Sequence, residues 1–360
     1  MVQPFVYEAQ PARVLFGSGT STRLPEEVER LGLQRVLILC TPQQVALAGR
    51  MQSLLGERAA GVFSGATMHT PIDVTERALT MVREMSADGL VSVGGGSTTG
   101  LGKAIALRTD LPQIVLPTTY AGSEMTPILG ETEKGMKTTQ RSPKVLPEVV
   151  IYDVDLTLSL PATGSATSAL NALAHAVEAL YAPDVNPVIS LMAEEGVRAI
   201  VSALPRMIRK GDDPSARFEL LMGAWLCASC LGATTMGLHH KLCHTLGGLF
   251  DLPHAETHAI VLPYALAYNS AEVPAAMTHL RRAMNTDDPV PALLELERQC
   301  SISLALRDVG MPHDGVARAV AQVLASPYRN PRTLDQEGLS ELLERAWSGS
   351  GIVPGTVSLR

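Results

Sequence analysis

The stretch LVSVGGGSTTGLGKAIAL, residues 90 to 107, decides the fold. A short apolar run leads into Gly94, Gly95 and Gly96, and a helical pattern follows Ser97. Consecutive glycines let the backbone approach a ligand closely, and the N-terminus of the next helix favours an anion. The stretch therefore predicts a strand, a phosphate-holding loop and a helix. Because the spacing is not G-x-G-x-x-G, a plain tight turn remains an alternative for this loop taken alone.

Short apolar runs alternate with helical stretches on both sides of this loop. Runs such as RVLILCT (35–41) and PQIVLPTT (112–119) are apolar almost throughout, which is typical of a parallel sheet covered on both faces. From Pro161 onward, long Ala/Leu-rich stretches with a period of 3.6 replace the alternation. The sequence thus predicts an α/β domain over residues 1–160 and an all-α domain over residues 161–360, packed around a cleft where a ligand would bind.

A second loop supports a nucleotide site in the first domain. The strand after the glycine loop ends in PTTYAGSEMTP, which carries Thr118, Thr119 and Ser123. Both loops fall at the carboxyl ends of neighbouring strands, where open α/β sheets bind ligands. We therefore predict that the N-terminal domain binds a dinucleotide.

The overall composition excludes several kinds of partner. The chain is 46% hydrophobic and 18% charged, and its formal charge of −7 includes no long basic run. Nucleic acid and anionic membranes are therefore not expected as partners, and a small molecule is. The opening residues lack a basic stretch followed by an apolar core, so we expect a cytoplasmic location.

One uncharged stretch, residues 220 to 238, is long enough to cross a bilayer, but its glycines and hydroxyl residues favour a buried helix. Cys227 and Cys230 lie within it as C-x-x-C with no second pair. We expect them to be small core residues with reduced thiols.

A histidine cluster dominates the second domain. Five of the nine histidines fall within GLHHKLCHTLGGLFDLPHAETHA, namely His239, His240, His244, His254 and His258. The pairs at positions 240/244 and 254/258 each share a helix face, and His175 comes from an earlier helical stretch. Imidazole serves as a metal ligand or as a proton carrier near neutral pH, so the cluster predicts one of these two functions.

Four motifs in register resemble the iron-containing alcohol dehydrogenase family, which shares its architecture with dehydroquinate synthase. They are GGGSTTGLGKAIA, PTTYAGSEMTP, NALAHAVEALYA and HHKLCHTLGGLFDLPHAETHAIVLPY. Details such as VIYDVDLTLSLP resemble the branch that reduces maleylacetate. The resemblance implies NAD(P) bound between the domains. By motif, Gly95, Gly96 and Ser97 would hold the pyrophosphate, Thr118, Thr119 and Ser123 would contact the cofactor, Lys137 would lie near the nicotinamide, and His244 would lie close to the reacting centre.

The same resemblance raises the question of a metal ion. Metal-dependent members bind their ion with an Asp and three His, and the corresponding positions here are Asn171, His175, His240 and His254. A neutral amide brings no charge to offset the cost of stripping water from the ion. We expect that no metal is required, although three imidazoles can still bind zinc.

The resemblance also bears on the choice of cofactor. Many members have an Asp where this chain has Gly100, and an acidic residue after the second strand where it reads ILCTPQQ. Such acids bind the ribose hydroxyls and repel a 2′-phosphate. We therefore expect both NADH and NADPH to be accepted.

The implied reaction is reduction of the carbon-carbon double bond of maleylacetate to 3-oxoadipate, a late step of aromatic ring breakdown. His175, His240 and His254 are candidates for stabilising the enolate and delivering the proton, with Lys137 as a further catalytic candidate. The substrate has two carboxylates, for which the basic candidates are Arg141, Lys144, Lys241 and Arg332.

Three alternatives remain open at this point. They are a metal-dependent alcohol or polyol dehydrogenase of the same fold, a lyase resembling dehydroquinate synthase, and a nucleotide sensor without turnover. A homodimer is the expected assembly.

Overall fold

A computed structural model of the chain describes residues 5–7, 9, 13–133, 136–325 and 328–350, without the side chain of Lys137. The chain forms two compact units. The first is Glu8–Leu160, and the second is Pro161–Arg360 together with Met1–Tyr7.

Parallel strands form the centre of the first unit. The strands of the described chain are β1 (Arg13–Gly17), β2 (Val36–Leu39), β3 (Ala59–Phe63), β4 (Gly89–Gly94), β5 (Gln113–Pro117), β6 (Ile128–Glu133), β7 (Met136–Arg141) and β8 (Val149–Asp153). Six of them form one sheet in the order β1-β8-β5-β4-β2-β3, and all its pairings are parallel. The order places β4 and β5 side by side in the middle, so the loops that follow them are neighbours.

Helices cover both faces of this sheet. They are α1 (Leu24–Arg30), α2 (Val45–Leu55), α3 (Ile72–Glu84) and α4 (Gly96–Thr109). Successive strand residues point to opposite faces. In β2, Val36 and Ile38 join a core with the apolar residues of α1 and α2, whereas Leu37 and Leu39 join a core with those of α3 and α4. The predicted fold of the N-terminal part, a parallel sheet covered on both faces, is confirmed.

The strands β6 and β7 form a separate antiparallel hairpin that the sequence pattern did not predict. Their register runs from Ile128 opposite Arg141 to Glu133 opposite Met136. Their sequences, ILGETE and MKTTQR, are mostly polar and include Gly130, so they lack the continuous apolar run that marked the buried strands. A hairpin with one exposed face needs no such run.

The described residues of the second unit form helices joined by loops, with no strand among them. Its α-helices are α5 (Ala162–Ala179), α6 (Pro187–Arg209), α7 (Pro214–Ala233), α8 (Leu238–Phe250), α9 (His254–Asn269), α10 (Pro274–Met284), α11 (Pro289–Gln299), α12 (Gly315–Leu324) and α13 (Gln336–Ser348). Helices α5, α6 and α7 pack against one another, and α8, α9, α12 and α13 share one apolar core. The predicted fold class, α/β followed by all-α, is confirmed.

Local sequence fixes where two of the long helices begin. The Asn186 side chain accepts hydrogen bonds from the backbone amides of Val188 and Ile189 at the start of α6. Asp213 caps α7 in the same way. Each cap is followed by a proline at the first helical position, where the missing N–H costs nothing.

Helix α7 is the one described helix that is long and apolar enough to span a membrane by length and composition. It packs against α5 and α6, and 56% of its apolar window is buried. Cys227 and Cys230 are fully buried in it. The uncharged stretch 220–238 is not one continuous helix, because α7 ends at Ala233 and α8 begins at Leu238. The burial agrees with the expected core helix.

Candidate active site

The glycine loop (94–97) and the threonine turn (118–123) lie side by side in the first unit. Together they are called the nucleotide corner. The Thr118 amide donates to the Gly94 carbonyl at 3.1 Å. A Cβ built on Gly95 would lie 2.8 Å from Cγ2 of Thr119, so the loop approaches the turn as closely as a glycine allows. Helix α4 begins at Gly96 with Gly95 as its N-cap, and the amides of its first turn are therefore directed outward from the helix. This arrangement suits an anion such as a pyrophosphate.

Gln44 supports this corner and was not singled out from the sequence. Its Nε2 donates to Oγ1 of Thr118 at 2.8 Å, and its Oε1 accepts from Oγ1 of Thr41 at 3.3 Å. A Cβ on Gly94 would lie 2.4 Å from that Oε1. Gln44 belongs to the ILCTPQQ segment, so a neutral amide packs against the loop there. Its partner is 74 residues away, which leaves no local signal in the sequence.

Lys103, a residue of helix α4, connects this helix to the threonine turn through its side chain. Its side chain is fully buried. Its Nζ donates to the carbonyl of Ser123, to the carbonyl and Oγ1 of Thr126 at 2.7 and 2.9 Å, and to the carbonyl of Ile128 at 2.9 Å. One buried cation thus holds the backbone of the turn that carries Ser123.

A buried carboxyl group accompanies this lysine. Tyr152 donates its hydroxyl to Oε1 of Glu124 at 2.7 Å. Burial raises the pKa of Glu124, against the opposing effects of its hydrogen bonds and of the Lys103 charge. Burial lowers the pKa of Lys103 to about 7, and Glu124 opposes that shift. The four oxygen acceptors favour the ammonium form, since a neutral amine has only two N–H groups to donate.

Gly100 is fixed by packing. A Cβ at this position would lie 2.4 Å from Oγ1 of Thr70, a buried residue with a φ of 45°. An aspartate at position 100 therefore cannot be accommodated without moving Thr70. The absence of an acid at position 100, which lies within α4, is thus built into the local structure.

The histidine cluster lies on three helices of the second unit. His175 is on α5, His239, His240 and His244 are on α8, and His254 and His258 are on α9. Helix α9 packs against both α5 and α8. His244 and His254 are exposed, whereas the other four are buried. The folded chain thus brings the six histidines of the sequence pattern together.

His240 lies at the centre of this cluster. Its ring centroid is 5.2 Å from those of His175 and His239, 5.0 Å from that of His258 and 6.3 Å from that of His244. The rings of His254 and His258 are 4.2 Å apart. Of the three proposed enolate-stabilising residues, His175 and His240 have rings close to each other.

Glu178 is the carboxylate of the site, and sequence reasoning missed it. Its Oε2 lies 2.6 Å from Nδ1 of His240. The same carboxylate accepts the amides of Gly237, His239 and His240 at the start of α8, where the helix N-terminus favours a negative charge. Glu178 stands three residues after His175 on α5, but its 62-residue separation from His240 gave no signal.

These contacts determine the ionisation of the Glu178 carboxyl group. Burial alone would raise the pKa of Glu178, but the hydrogen bond from His240 and the nearby rings bring it below its ordinary value. Because the carboxylate accepts, Nδ1 of His240 carries a hydrogen and Nε2 is the nitrogen left for a ligand.

The other buried histidines are held neutral. Burial lowers the pKa of His239 to about 4, with a further lowering by His240. Burial also lowers the pKa values of His175 and His258 well below the ordinary histidine value, and the neighbouring histidines act in the same direction. Among the four buried rings, His240 is the one whose Nδ1 bonds a carboxylate, that of Glu178.

The four positions matched to the metal site of the family do not fit a metal ion well. Asn171 is buried one helical turn before His175 and contributes no charge. Among the His, Cys, Asp and Glu side chains of the described chain, the trio whose ligand atoms all lie within 4.8 Å of one another is His239, His240 and His258. This trio shares only His240 with the matched positions.

The candidate cations for the substrate carboxylates have other partners. Lys144 lies 3.3 Å from Asp110, and Lys241 lies over the ring of Tyr328. Arg332 stacks on the ring of Tyr268 at 4.0 Å. Arg141 ends β7. None of these contacts singles out one cation for the substrate.

Lys137 lies in β7, opposite Thr132 of β6. Its side chain is outside the described part of the chain, so its predicted place near the nicotinamide remains a prediction. His244 is exposed on α8, and its predicted role near the reacting centre also remains a prediction.

Comparison with known proteins agrees with this geometry. Residues 11–154 match the model of the iron-containing alcohol dehydrogenases, and residues 165–347 match the C-terminal model of the Fe-containing alcohol dehydrogenase family. A maleylacetate reductase from Rhizobium sp. is 53% identical over 97% of this chain and 99% of its own length. One from Sphingobium indicum is 52% identical over 96% and 98% of the two chains.

The solved structures give the same result. A crystal structure of maleylacetate reductase from Agrobacterium tumefaciens superposes with a TM-score of 0.93 at 52% identity, covering 96% of this chain and 99% of that chain. The chain belongs to the iron-containing alcohol dehydrogenase family, in the branch formed by these maleylacetate reductases. Its class is that of the NAD(P)H-dependent oxidoreductases, and the predicted family is confirmed.

Proposed function

We propose that this chain reduces the carbon-carbon double bond of maleylacetate to give 3-oxoadipate, with NADH or NADPH as the reductant. The observation that carries the proposal is the buried pair of Glu178 and His240 at 2.6 Å in the centre of the histidine cluster. The relatives named maleylacetate reductase, which match nearly the whole chain, support the substrate.

When bound, the reduced nicotinamide supplies a hydride to the alkene carbon that is β to the ketone of the substrate. The electron pair of the double bond then moves toward the ketone oxygen, which becomes an enolate, and the α carbon takes up a proton. The alkene is reduced to a saturated bond as NAD(P)H is oxidised to NAD(P)⁺. The developing negative charge needs a hydrogen-bond donor at the oxygen.

We assign that role to Nε2 of His240. The Glu178 carboxylate accepts from Nδ1 and so orients the ring. Nε2 then donates a hydrogen bond to the enolate and delivers the proton. His175 and His254 line the cluster beside it as further polar contacts. Gly95, Gly96 and Ser97 hold the pyrophosphate, and Thr118, Thr119 and Ser123 contact the rest of the cofactor. Lys137 and His244 act near the nicotinamide.

The direct test is NADH oxidation with maleylacetate, followed by identification of 3-oxoadipate as the product. We expect one NADH oxidised for each substrate consumed. Tight NAD binding with no net oxidation would instead favour a lyase resembling dehydroquinate synthase, and reduction of simple aldehydes but not of maleylacetate would favour an alcohol dehydrogenase.

We also infer that turnover needs no metal ion. The amide of Asn171 supports this inference, because it replaces the charged ligand that a divalent ion would need at this position. Protein treated with a chelator and shown to be metal-free should keep its full kcat. Complete loss of activity, with recovery on adding zinc or iron, would refute it. Asn171→Asp is the substitution expected to raise metal affinity at the matched positions.

Both cofactors should be used. No acidic side chain is available at Gly100 or in the ILCTPQQ segment to repel a 2′-phosphate. The ratio of kcat/KM for NADH and NADPH should therefore lie within about 100-fold, which is under 3 kcal/mol of discrimination. A larger preference for either would show that another contact selects the cofactor.

The remaining proposals concern location and assembly. A cytoplasmic location agrees with the five cysteines, all of which are buried and unpaired with one another. We propose a homodimer, which light scattering of the purified protein would test.

A further inference from the structure

His258 is a buried residue without an evident role in the fold. Its exposed fraction is 1%. Within the described residues, neither Nδ1 nor Nε2 of His258 has a hydrogen-bond partner. A buried polar group without a partner destabilises a protein, and an apolar side chain of similar size would avoid this cost. The position of His258 therefore points to a ligand that supplies the missing contact.

Two neighbouring histidines each keep one ring nitrogen without a hydrogen-bond partner in the described chain. His239 donates its Nε2 hydrogen to the backbone carbonyl of His258 at 2.8 Å, which leaves the lone pair on Nδ1. His240 donates its Nδ1 hydrogen to Glu178, which leaves Nε2. Neither Nδ1 of His239 nor Nε2 of His240 has a hydrogen-bond partner among the described residues.

Each ring is thus fixed in orientation by a hydrogen bond from its other nitrogen. This is the arrangement seen around bound metals, where a second partner sets the tautomer of a ligating histidine. One ring nitrogen from each of the three histidines lies within 4.8 Å of a ring nitrogen of the other two. A tetrahedral zinc site has bonds of 2.0–2.1 Å and so needs nitrogens about 3.3 Å apart, which side-chain movements of about 1 Å would provide.

We propose that His239, His240 and His258 form a binding site for a zinc-like divalent ion, distinct from the set of Asn171, His175, His240 and His254. Three neutral imidazoles are suitable zinc ligands, and a water molecule would complete four-coordination. Glu178 supplies the negative charge through His240, in the manner of a carboxylate–histidine–zinc triad.

The site has a consequence for turnover that rests on the proposed function. A bound ion takes the lone pair of Nε2 of His240, so this nitrogen can no longer donate to the enolate. Zinc should therefore inhibit reduction of maleylacetate while it occupies the site. The binding itself does not depend on that function.

The test is titration of chelator-treated protein with Co²⁺ and Zn²⁺. Visible absorbance of four-coordinate Co²⁺ reports binding independently of activity, and calorimetry gives the affinity for Zn²⁺. Wild-type protein should bind one ion per chain. Absence of stoichiometric binding of either ion would overturn the proposal.

Three variants then separate the two possible ligand sets. His258→Leu and His239→Gln should weaken Co²⁺ binding by at least about tenfold, and Glu178→Gln by roughly 10- to 100-fold. His175→Gln is the matched control, because His175 is equally buried and its ring also lies beside His240. This variant should bind Co²⁺ with an affinity within about threefold of wild type. Binding that is lost in His175→Gln and kept in His258→Leu would assign the ion to the family positions instead.

Folding does not confound the main variant. Since the two ring nitrogens of His258 make no hydrogen bonds within the described chain, His258→Leu should keep or raise the melting temperature. A lowered melting temperature, with Co²⁺ binding intact, would show that His258 supports the fold and overturn its assignment as a ligand. If zinc binds as proposed but activates the enzyme, the metal site stands and the metal-independent mechanism fails.

Discussion

The nucleotide corner of the first unit and the histidine cluster of the second are built in opposite ways. In the corner, short contacts between backbone and small side chains define the shape, and the buried cation Lys103 has four oxygen acceptors. In the cluster, the buried nitrogens of His175, His239, His240 and His258 include several without a hydrogen-bond partner in the described chain. Polar groups that the fold satisfies support structure, whereas buried polar groups that it leaves unsatisfied point to ligands or chemistry. Substitutions in the two regions should therefore have different effects.

The largest effect is expected at the centre of the cluster. His240→Gln removes the proposed donor to the enolate, so kcat should fall by roughly 10²- to 10⁴-fold. NADH affinity, measured by fluorescence titration, should change little because the nucleotide loops belong to the other unit. His279→Gln is a suitable control, since His279 also pairs with a glutamate, Glu194, at 2.5 Å but lies on α10. A kcat for His240→Gln within tenfold of wild type would exclude this residue as the main proton donor.

In the corner, the corresponding substitution should act on stability. Lys103→Met leaves the carbonyls of Ser123, Thr126 and Ile128 and the buried Glu124 without their cation, which should cost about 3–5 kcal/mol of unfolding free energy. Urea unfolding measures it. Lys144→Met, at a half-exposed lysine paired with Asp110, should stay within about 0.5 kcal/mol of wild type. Equal stability of the two variants would contradict the assigned role of Lys103.

The same contrast explains how much the sequence could predict. Apolar runs identified strands of the parallel sheet such as β2, β4 and β5, and glycine-rich and hydroxyl-rich loops marked the corner, because these signals are local. The hairpin of β6 and β7 was missed, since its mostly polar sequences, ILGETE and MKTTQR, resemble a loop. Gln44 and Glu178 were missed because each acts through a partner 62 or more residues away.

For the histidines, the residue types could be read from the sequence but their grouping could not. Family resemblance placed His240 with His175 and His254, whereas the packing of α8 on α9 groups its ligand atom with those of His239 and His258. Such grouping depends on helix packing, which no local pattern contains. Substitution of the individual histidines is therefore needed to assign their roles.

A smaller effect is expected at Glu178, and it depends on pH. Glu178→Gln keeps the shape but removes the charge that accepts three backbone amides and Nδ1 of His240, which should cost about 1–3 kcal/mol at pH 7. Because the pKa of Glu178 is lowered in the folded state, this contribution is present above its ordinary value and is lost as pH falls through the folded value.

The melting temperatures of wild type and Glu178→Gln should accordingly differ at pH 7 and converge below the ordinary value of 4.5. Calorimetry at several pH values measures this. A difference that stays constant down to acid pH would mean that the carboxylate is not ionised in the folded protein.

The smallest expected effect is a difference in stability between alanine substitutions at two adjacent glycines of the corner, Gly95 and Gly96. A Cβ on Gly95 would lie 2.8 Å from Cγ2 of Thr119, whereas a Cβ on Gly96 meets nothing closer than Cβ of Ala121 at 3.9 Å. Gly95→Ala should therefore destabilise the protein by about 1 kcal/mol, because the Thr119 side chain must move. Gly96→Ala should unfold like wild type. Both should weaken NADH binding, for different reasons: the first displaces the threonine turn, and the second places a methyl group where the pyrophosphate approaches the start of α4. If Gly96→Ala kept full NADH affinity, the pyrophosphate would have to bind elsewhere, and the corner would be a structural turn.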